Sequence, residues 1–367
     1  MNINMAVKAH KNKVVIGMSG GVDSSVVAHI LKEKGFDVTG VYLNLWESID
    51  GGRFKHSAKK NEEDAKDVCE KLGIDFISKN HEESFKIEVV EYFMKEYLEG
   101  RTPNPCVQCN KTIKFKYLME AAEEIGAYYM ATGHYVKVAK DEVSGRYYVK
   151  RTKNDKDQSY MFYTLPQEYI SRLIMPLGDI KDKINVRKTA MQLKLNIADK
   201  KDSQEICFIQ DNDYGGFLER NINDEIKPGK FVDKSGNILG SHKGIPFYTV
   251  GQRKGLGIAL GRPMYVKEIN VYNNNIMLTD DSSLYTRKLT AEKVNSVKYK
   301  QIPEDRVFDI KTRYTAKAAK GNVKNLKNGK ILIEFVESQR AVTPGQSVVI
   351  YEGEDLIGGG IITKTDG

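Results

Sequence analysis

Strand-like and helix-like segments alternate without a break from Lys13 to Tyr135, which limits this part of the chain to a parallel sheet flanked by helices. "KVVIGM" reads as a buried strand. "SSVVAHILKEKG" reads as a helix with Val26, Val27, Ile30 and Leu31 on one face and Gly35 as its stop. The strand "DVTGVYLNLW" follows, then the helix "SAKKNEEDAKDVCEKLG" and the short strand "IDFISK". A long helix, "ESFKIEVVEYFMKEYLEG", leads into "RTPNPCVQCN", which reads as a loop. The helix "KTIKFKYLMEAAEEIG" and the strand "AYYMATGHY" complete the set. Ligands of such doubly wound sheets sit beyond the carboxyl ends of the strands. The glycine-rich "GMSGGVDSS", "NLW" and "TGHY" all fall at that edge.

The pattern then changes. Residues 136–210 are mixed, with helical stretches at "PQEYISRLI" and "KINVRKTAMQLKL". From 211 glycines and short strands dominate, and after 285 two-residue periodicity appears in "RVFDIKTRYT", "KILIEFVES" and "QSVVIYEGEDLIGGGIIT". The expected organisation is an α/β N-terminal domain over 1–210, a small middle domain over 211–284 and a C-terminal β-barrel over 285–367. No apolar run is long enough to span a membrane, and "MNINMAVKAHKNK" lacks the apolar core of a secretory signal, so the expected location is cytoplasmic. The net charge of +8 is mild, but residues 311–330 hold seven Lys or Arg and no acid. That stretch is either a solvated face or a polyanion contact.

"SGGVDSS" carries the first chemistry. It is not a Walker A loop, because no Gly-Lys-Ser/Thr follows its glycines, and it is not G-x-G-x-x-G. Gly20 and Gly21 allow a tight turn whose N–H groups can surround an oxyanion. Ser19, Ser24 and Ser25 add hydroxyls where a helix begins, an end that favours anions. Asp23 would repel phosphate unless Mg²⁺ lies between them.

The chain has four cysteines, too few for a disulfide scaffold at this length. Cys106 and Cys109 form a C-x-x-C beside a helix start, with Lys111 and Lys114 close in sequence, a setting that favours thiolates. The same pair is open to a structural zinc half-site, with only Cys207 as a further partner. Cys207 lies in "DSQEICFI", which by itself reads as a strand with a buried cysteine. Cys69 shares a helical face with Ala65, Val68 and Leu72 and reads as an inert core residue.

"SGGVDS" resembles the PP-loop of ATP pyrophosphatases, which cleave ATP between the α and β phosphates. Taken with "GRTPNPCVQCNKTIKF", "ATGHY", "KDQSYMFY", "DSQEICFI" and "YTVGQRKGLGI", it makes the chain similar to the tRNA-specific 2-thiouridylases over nearly its whole length. The resemblance implies a PP-loop, adenine nucleotide alpha-hydrolase-like domain. It implies that ATP adenylates the C2 oxygen of the wobble uridine U34 and that a cysteine persulfide delivers sulfur, leaving 2-thiouridine, AMP and pyrophosphate. Under it Cys109 is the nucleophile, Cys207 carries the persulfide, and the two can form a disulfide during turnover. Gly17, Met18, Ser19, Gly20, Gly21, Val22, Asp23 and Ser24 match the ATP loop; Leu43 and Gly133 match adenosine contacts. Asn104, Pro105 and Cys106 match the contact to the target base. Lys156, Asp157 and Gln158, and Arg313 with Tyr314, match contacts to tRNA. The basic stretch then reads as a tRNA face, and U34 must leave its stack to reach the thiolate. The implied partners are the tRNA anticodon stem-loop and a persulfide donor, either a cysteine desulfurase or a relay protein.

Two positions depart from the family pattern. Leu43 stands where Met is common, a near-isosteric change. Cys106 stands where many members carry Asp, whose carboxylate the family pattern implies as a general acid/base or ligand, so Cys106 is a third candidate catalytic residue and a third thiol beside Cys109 and Cys207, and three thiols can ligate a [4Fe–4S] cluster. ATP and Mg²⁺ are the other expected cofactors, with no metal ligand set assigned. The competing readings are another PP-loop enzyme, an amidotransferase or lysidine-type ligase, and an RNA-binding module with a vestigial ATP loop.

Overall fold

The computed structural model describes residues 10–46, 53–180, 182–200, 206–209 and 213–366. The start of "DSQEICFI" and the expected boundary at 210/211 lie outside the described residues. Packing divides the chain into two compact units. The first comprises residues 1–89, 106–204 and 354–356, so far as described, and the second 90–105, 205–353 and 357–367.

The first unit is built on a parallel sheet. Its opening strands and helices are β1 (His10–Met18), α1 (Val22–Glu33), β2 (Asp37–Asn44), α2 (Arg53–Leu72) and β3 (Asp75–Asn80). A helical run follows: α3 (Glu82–Phe85), a π segment (Lys86–Glu91) and α4 (Tyr92–Leu98); from Val90 on, and so with all of α4, this run belongs to the second unit. α5 (Pro105–Cys109), a second π segment (Asn110–Lys114) and α6 (Phe115–Ile125) precede β4 (Ala127–Ala131). The hairpin β5 (Lys137–Lys140) and β6 (Tyr147–Lys150), α7 (Gln167–Ile170), β7 (Leu173–Ile174) and α8 (Lys183–Gln192) complete the unit. The strand order is β3-β2-β1-β4-β7. β1 pairs in parallel with β2 through Lys13↔Asp37 to Met18↔Tyr42, and on its other side with β4. The order thus reverses at β1, so the loop after Met18 opens at the sheet's switch point.

The apolar residues of β1 and of α1 explain why these elements pack. Val14, Val15, Ile16, Val26, Val27 and Leu31 are all buried. Cys69 sits in the same core, and burial pushes its thiol up to about 12, as an inert residue requires.

The second unit contains α9 (Tyr214–Ile222) and a four-stranded sheet of β8 (Gly229–Val232), β9 (Ile238–His242), β10 (Tyr265–Asn270) and β11 (Asn275–Thr279), in the order β10-β11-β8-β9. The C-terminal strands are β12 (Tyr285–Ser296), β13 (Val307–Lys311), β14 (Ala319–Asn325), β15 (Ile331–Arg340), β16 (Ser347–Glu352) and β17 (Asp355–Thr365). They follow the order β12-β15-β14-β13-β16-β17, and β12 pairs with β17 to close a six-stranded barrel. Phe308, Ile310, Ile333, Phe335, Val348 and Ile350 fill it, in keeping with alternation of buried and outward positions. The expected fold class, a parallel α/β domain followed by a small middle sheet and a β-barrel, is borne out.

Candidate functional site

The glycine loop occupies the edge where the sheet reverses. α1 begins after Gly21, and no side chain caps its first turn, which leaves the helix's leading N–H groups to an outside acceptor. Two close approaches shape the loop. Gly20 has φ +66, and a Cβ there would lie 2.3 Å from the Asn61 carbonyl oxygen. Gly133, from the "TGHY" turn after β4, packs so closely on α1 that a Cβ would meet the Ser24 nitrogen at 2.8 Å. The "TGHY" segment and the glycine loop are therefore one construction.

The serines divide their work. Ser19 is exposed, and its N–H donates to Ser24 Oγ at 3.2 Å. Ser24 and Ser25 are buried and donate to the Gly21 carbonyl at 3.2 and 2.8 Å. Ser25, at 0% exposure, serves the loop's own backbone. Asp23 has partners from distant sequence: Tyr135 donates its hydroxyl to Oδ1 at 2.8 Å, and Lys183 donates to Oδ2 at 2.9 Å. On the loop's other flank Lys200 donates to Gly20 O, Asn61 Oδ1 and Asp64 Oδ2 at 2.8, 2.6 and 2.8 Å. Leu43 lies near the end of β2, half-buried, at the same sheet edge as Gly133.

His134 is held in the same turn, its Nδ1 2.7 Å from Thr132 Oγ1 and its ring beside Phe115 and Phe162. Burial, with Lys114 nearby, lowers its pKa to about 3. Between that value and the ordinary 6.5 the unfolded chain binds a proton that the folded chain refuses, so stability falls as pH drops through this window. Urea melts from pH 7 to pH 4 should show this loss, and His134→Gln should flatten it.

The segment expected to be a loop around the cysteines is helical from Pro105. Proline presets the backbone of a first helical turn, where its missing N–H costs nothing. Cys106 is exposed and Cys109, one turn on, is buried at 4% exposure. The backbone then widens into the π segment at Asn110, a distortion found often at functional sites. Asn110 is buried, its Nδ2 donates to Met161 O at 3.3 Å, and its Oδ1 has no hydrogen-bond partner. In the second unit Cys207 is exposed and lies in a turn, not in a strand.

The chain leading into α5 is tightly held within the second unit. Arg101 grips Glu96 through two bonds, of 2.7 and 2.6 Å. Thr102 N–H donates to Pro344 O at 2.9 Å, and Gln346 Nε2 donates to Thr102 O and Pro103 O at 2.9 and 3.2 Å. Asn104 and Pro105 thus follow an anchored stretch. Arg313 donates to Val250 O at 3.2 Å, to Ala341 O at 2.9 Å and to Thr343 Oγ1, tying the middle domain's "YTVGQ" to the barrel. Arg313→Ala should lower stability by ~1–3 kcal/mol, read by thermal melting, because it strands these acceptors. Tyr314 is half-buried beside Lys311, whose Nζ lies 5.7 Å from the ring centroid.

In the first unit Lys156 is exposed, whereas its two neighbours turn inward. Asp157 accepts from Ser159 Oγ at 2.9 Å and from Thr152 N–H at 3.1 Å, and burial raises its pKa. Gln158 Oε1 accepts from Tyr135 N–H at 3.0 Å. Gln158 thereby steadies the residue that holds Asp23. Sequence reading missed Lys183, Lys200 and the role of Tyr135. One signal was available for Lys183: a cation at a helix N-terminus opposes the helix dipole and calls for an anionic partner.

A parallel sheet with a glycine loop at its switch point, followed by a closed barrel, defines an α/β protein with an appended β module. Residues 12–211 match the tRNA methyl transferase HUP domain, 215–280 the tRNA methyl transferase PRC-barrel domain and 286–362 the aminomethyltransferase beta-barrel domain. The tRNA-specific 2-thiouridylase MnmA 2 of Clostridium botulinum (strain Hall) is 50% identical over 355 residues, covering 96% of this chain and 99% of that protein. The tRNA-specific 2-thiouridylases MnmA of Clostridioides difficile (strain 630) and Acetivibrio thermocellus are 48% and 47% identical, each over 96% of this chain and 98% and 99% of their own lengths. The chain belongs to the tRNA-specific 2-thiouridylase family.

Proposed function

We propose that this chain is a tRNA-uridine 2-sulfurtransferase that uses ATP to replace the C2 oxygen of U34 by sulfur. The observation that carries the reading is the uncapped start of α1 at the switch point, formed by "GMSGGVDS". A loop of backbone amides with no Walker lysine suits the pyrophosphate that leaves when AMP is transferred. Gly17, Met18, Ser19, Gly20, Gly21, Val22, Asp23 and Ser24 form this loop, and Leu43 and Gly133 flank the adenosine.

In this reading the C2 carbonyl oxygen of U34 attacks the α phosphate of ATP, and pyrophosphate leaves. The terminal sulfur of a persulfide on Cys207 attacks C2, and AMP departs with the former carbonyl oxygen. The Cys109 thiolate then attacks the Cys207 sulfur, releasing the 2-thio group and leaving a Cys109–Cys207 disulfide. An external thiol reduces that disulfide before a cysteine desulfurase or relay protein reloads Cys207. Asn104, Pro105 and Cys106 receive the base. Lys156, Asp157, Gln158, Arg313 and Tyr314 belong to the tRNA-contacting elements, where Lys156 is the exposed cation and Arg313, Asp157 and Gln158 shape the surface through their internal bonds. Residues 1–210 catalyse, and 211–284 and 285–367 hold the tRNA.

Asp23 suits Mg²⁺, which takes one or two carboxylates plus substrate phosphates and would screen the polyphosphate charge. Among the described residues no group of three or more His, Cys, Asp or Glu side chains is placed to hold a metal, and no ligand set is assigned to a cluster. No step is derived through a cluster. Among the described residues no helix is long and apolar enough to cross a membrane, consistent with action on tRNA in the cytoplasm. Complementing a strain that lacks its own 2-thiouridylase should restore 2-thiouridine in digested tRNA, read by mass spectrometry; unmodified uridine at the wobble position would reject the reading.

A further inference from the structure

Two lysines outside every recognised motif grip the glycine loop from different sides, and they are not equivalent. Lys200 donates to Gly20 O, Asn61 Oδ1 and Asp64 Oδ2, so all three ammonium hydrogens serve fixed partners that join the loop to α2. Removing it would undo the turn at Gly20. Lys183 reaches the loop through a side chain, Asp23 Oδ2 at 2.9 Å. It starts α8, where the helix dipole disfavours a cation, and its side chain is only 15% exposed. Asp23 stands in the first turn of α1, 27% exposed, and its other oxygen is held independently by Tyr135 at 2.8 Å. The pair therefore places a largely buried lysine side chain on a carboxylate of α1's first turn, and Asp23 keeps its Tyr135 bond if the lysine swings away.

We propose that Lys183, beside Asp23 in the first turn of α1, is the polyphosphate-binding cation of the glycine loop and moves from Asp23 to the pyrophosphate moiety when nucleotide binds. This rests on the reading of the loop as a pyrophosphate site. A polyphosphate offers more negative charge and more acceptor oxygens than one carboxylate, and a lysine on a flexible four-carbon stem can follow it without backbone movement. Asp23, relieved of the ammonium, keeps the Tyr135 bond and becomes available to a cation that accompanies the nucleotide. Lys200 stays in place and acts through loop shape alone.

Calorimetric titration of the full chain with pyrophosphate, α,β-methylene-ATP and AMP separates these roles. Lys183→Met should weaken pyrophosphate and the ATP analogue by ~10- to 100-fold and AMP by less than about twofold. Lys183→Arg should recover part of that loss. Lys200→Met should lower the melting temperature and weaken all three ligands alike. Wild-type-like pyrophosphate affinity in Lys183→Met, or an equal loss for AMP, would overturn the assignment to Lys183 while leaving the loop reading intact. A wild-type chain that binds neither pyrophosphate nor the analogue would overturn the loop reading itself.

Discussion

Replacing Cys109 or Cys207 by serine should lower 2-thiouridine formation by ~10³-fold or more and leave nucleotide binding at the glycine loop unchanged. The proposed scheme gives the two cysteines different work, and their surroundings differ. Cys207 is exposed in a turn, where a donor protein can load a persulfide. Cys109 is buried one turn into α5, where the helix widens into its π segment, out of reach of indiscriminate oxidation. Limited alkylation should therefore modify Cys207 and Cys106 well before Cys109. With Cys207→Ser the chain should still release pyrophosphate in a tRNA-dependent manner, because in the proposed scheme adenylation precedes sulfur transfer. Cys106→Ser should cost less than about tenfold, since the proposed scheme places neither sulfur-bearing role on it. Thiolation that survives both the Cys109 and the Cys207 replacements would remove the persulfide scheme.

Gly20→Ala should cost ATP affinity at least ~10²-fold. The new Cβ would lie 2.3 Å from the Asn61 carbonyl, and the φ of +66 is one that side chains resist. The left-handed backbone alone costs ~1–2 kcal/mol, and relief of the clash must move either α2 or the loop that Lys200 ties to it. Gly21→Ala is the control. Its φ is −111, and a Cβ would meet only Ser19 Oγ at 3.2 Å, a contact a side chain can relieve. Equal nucleotide affinity in the two variants, at matched melting temperatures, would contradict this account of the loop.

The α/β part was legible because its signals are local. Hydrophobic periodicity, glycine stops and the order of segments are enough to place β1, α1 and the loop between them. Cys69 was legible for the same reason, since its neighbours on one helical face all point into the core. The cysteine segment was misread as a loop because two prolines and an asparagine look like turn residues, yet Pro105 is also an ideal first residue of a helix. The π segment after Cys109 has no sequence signature. Cys207 was read as buried from its apolar neighbours, and Phe208 and Ile209 are indeed buried while the cysteine turns outward. The partners of Asp23 could not be read because Tyr135 and Lys183 stand 112 and 160 residues away, and only the folded sheet brings them together. Arg313 carried a tRNA-contact expectation from its motif. Its bonds to Val250, Ala341 and Thr343 arise from a turn whose geometry no local pattern encodes.

The most direct test of the central claim uses the purified chain, with Cys207 loaded as a persulfide, and a tRNA transcript bearing U34. Addition of ATP in a single turnover, followed by nucleoside mass spectrometry, should yield one 2-thiouridine, one AMP and one pyrophosphate per persulfide consumed. Release of AMP and pyrophosphate with U34 left as uridine, or sulfur incorporation without ATP, would contradict it.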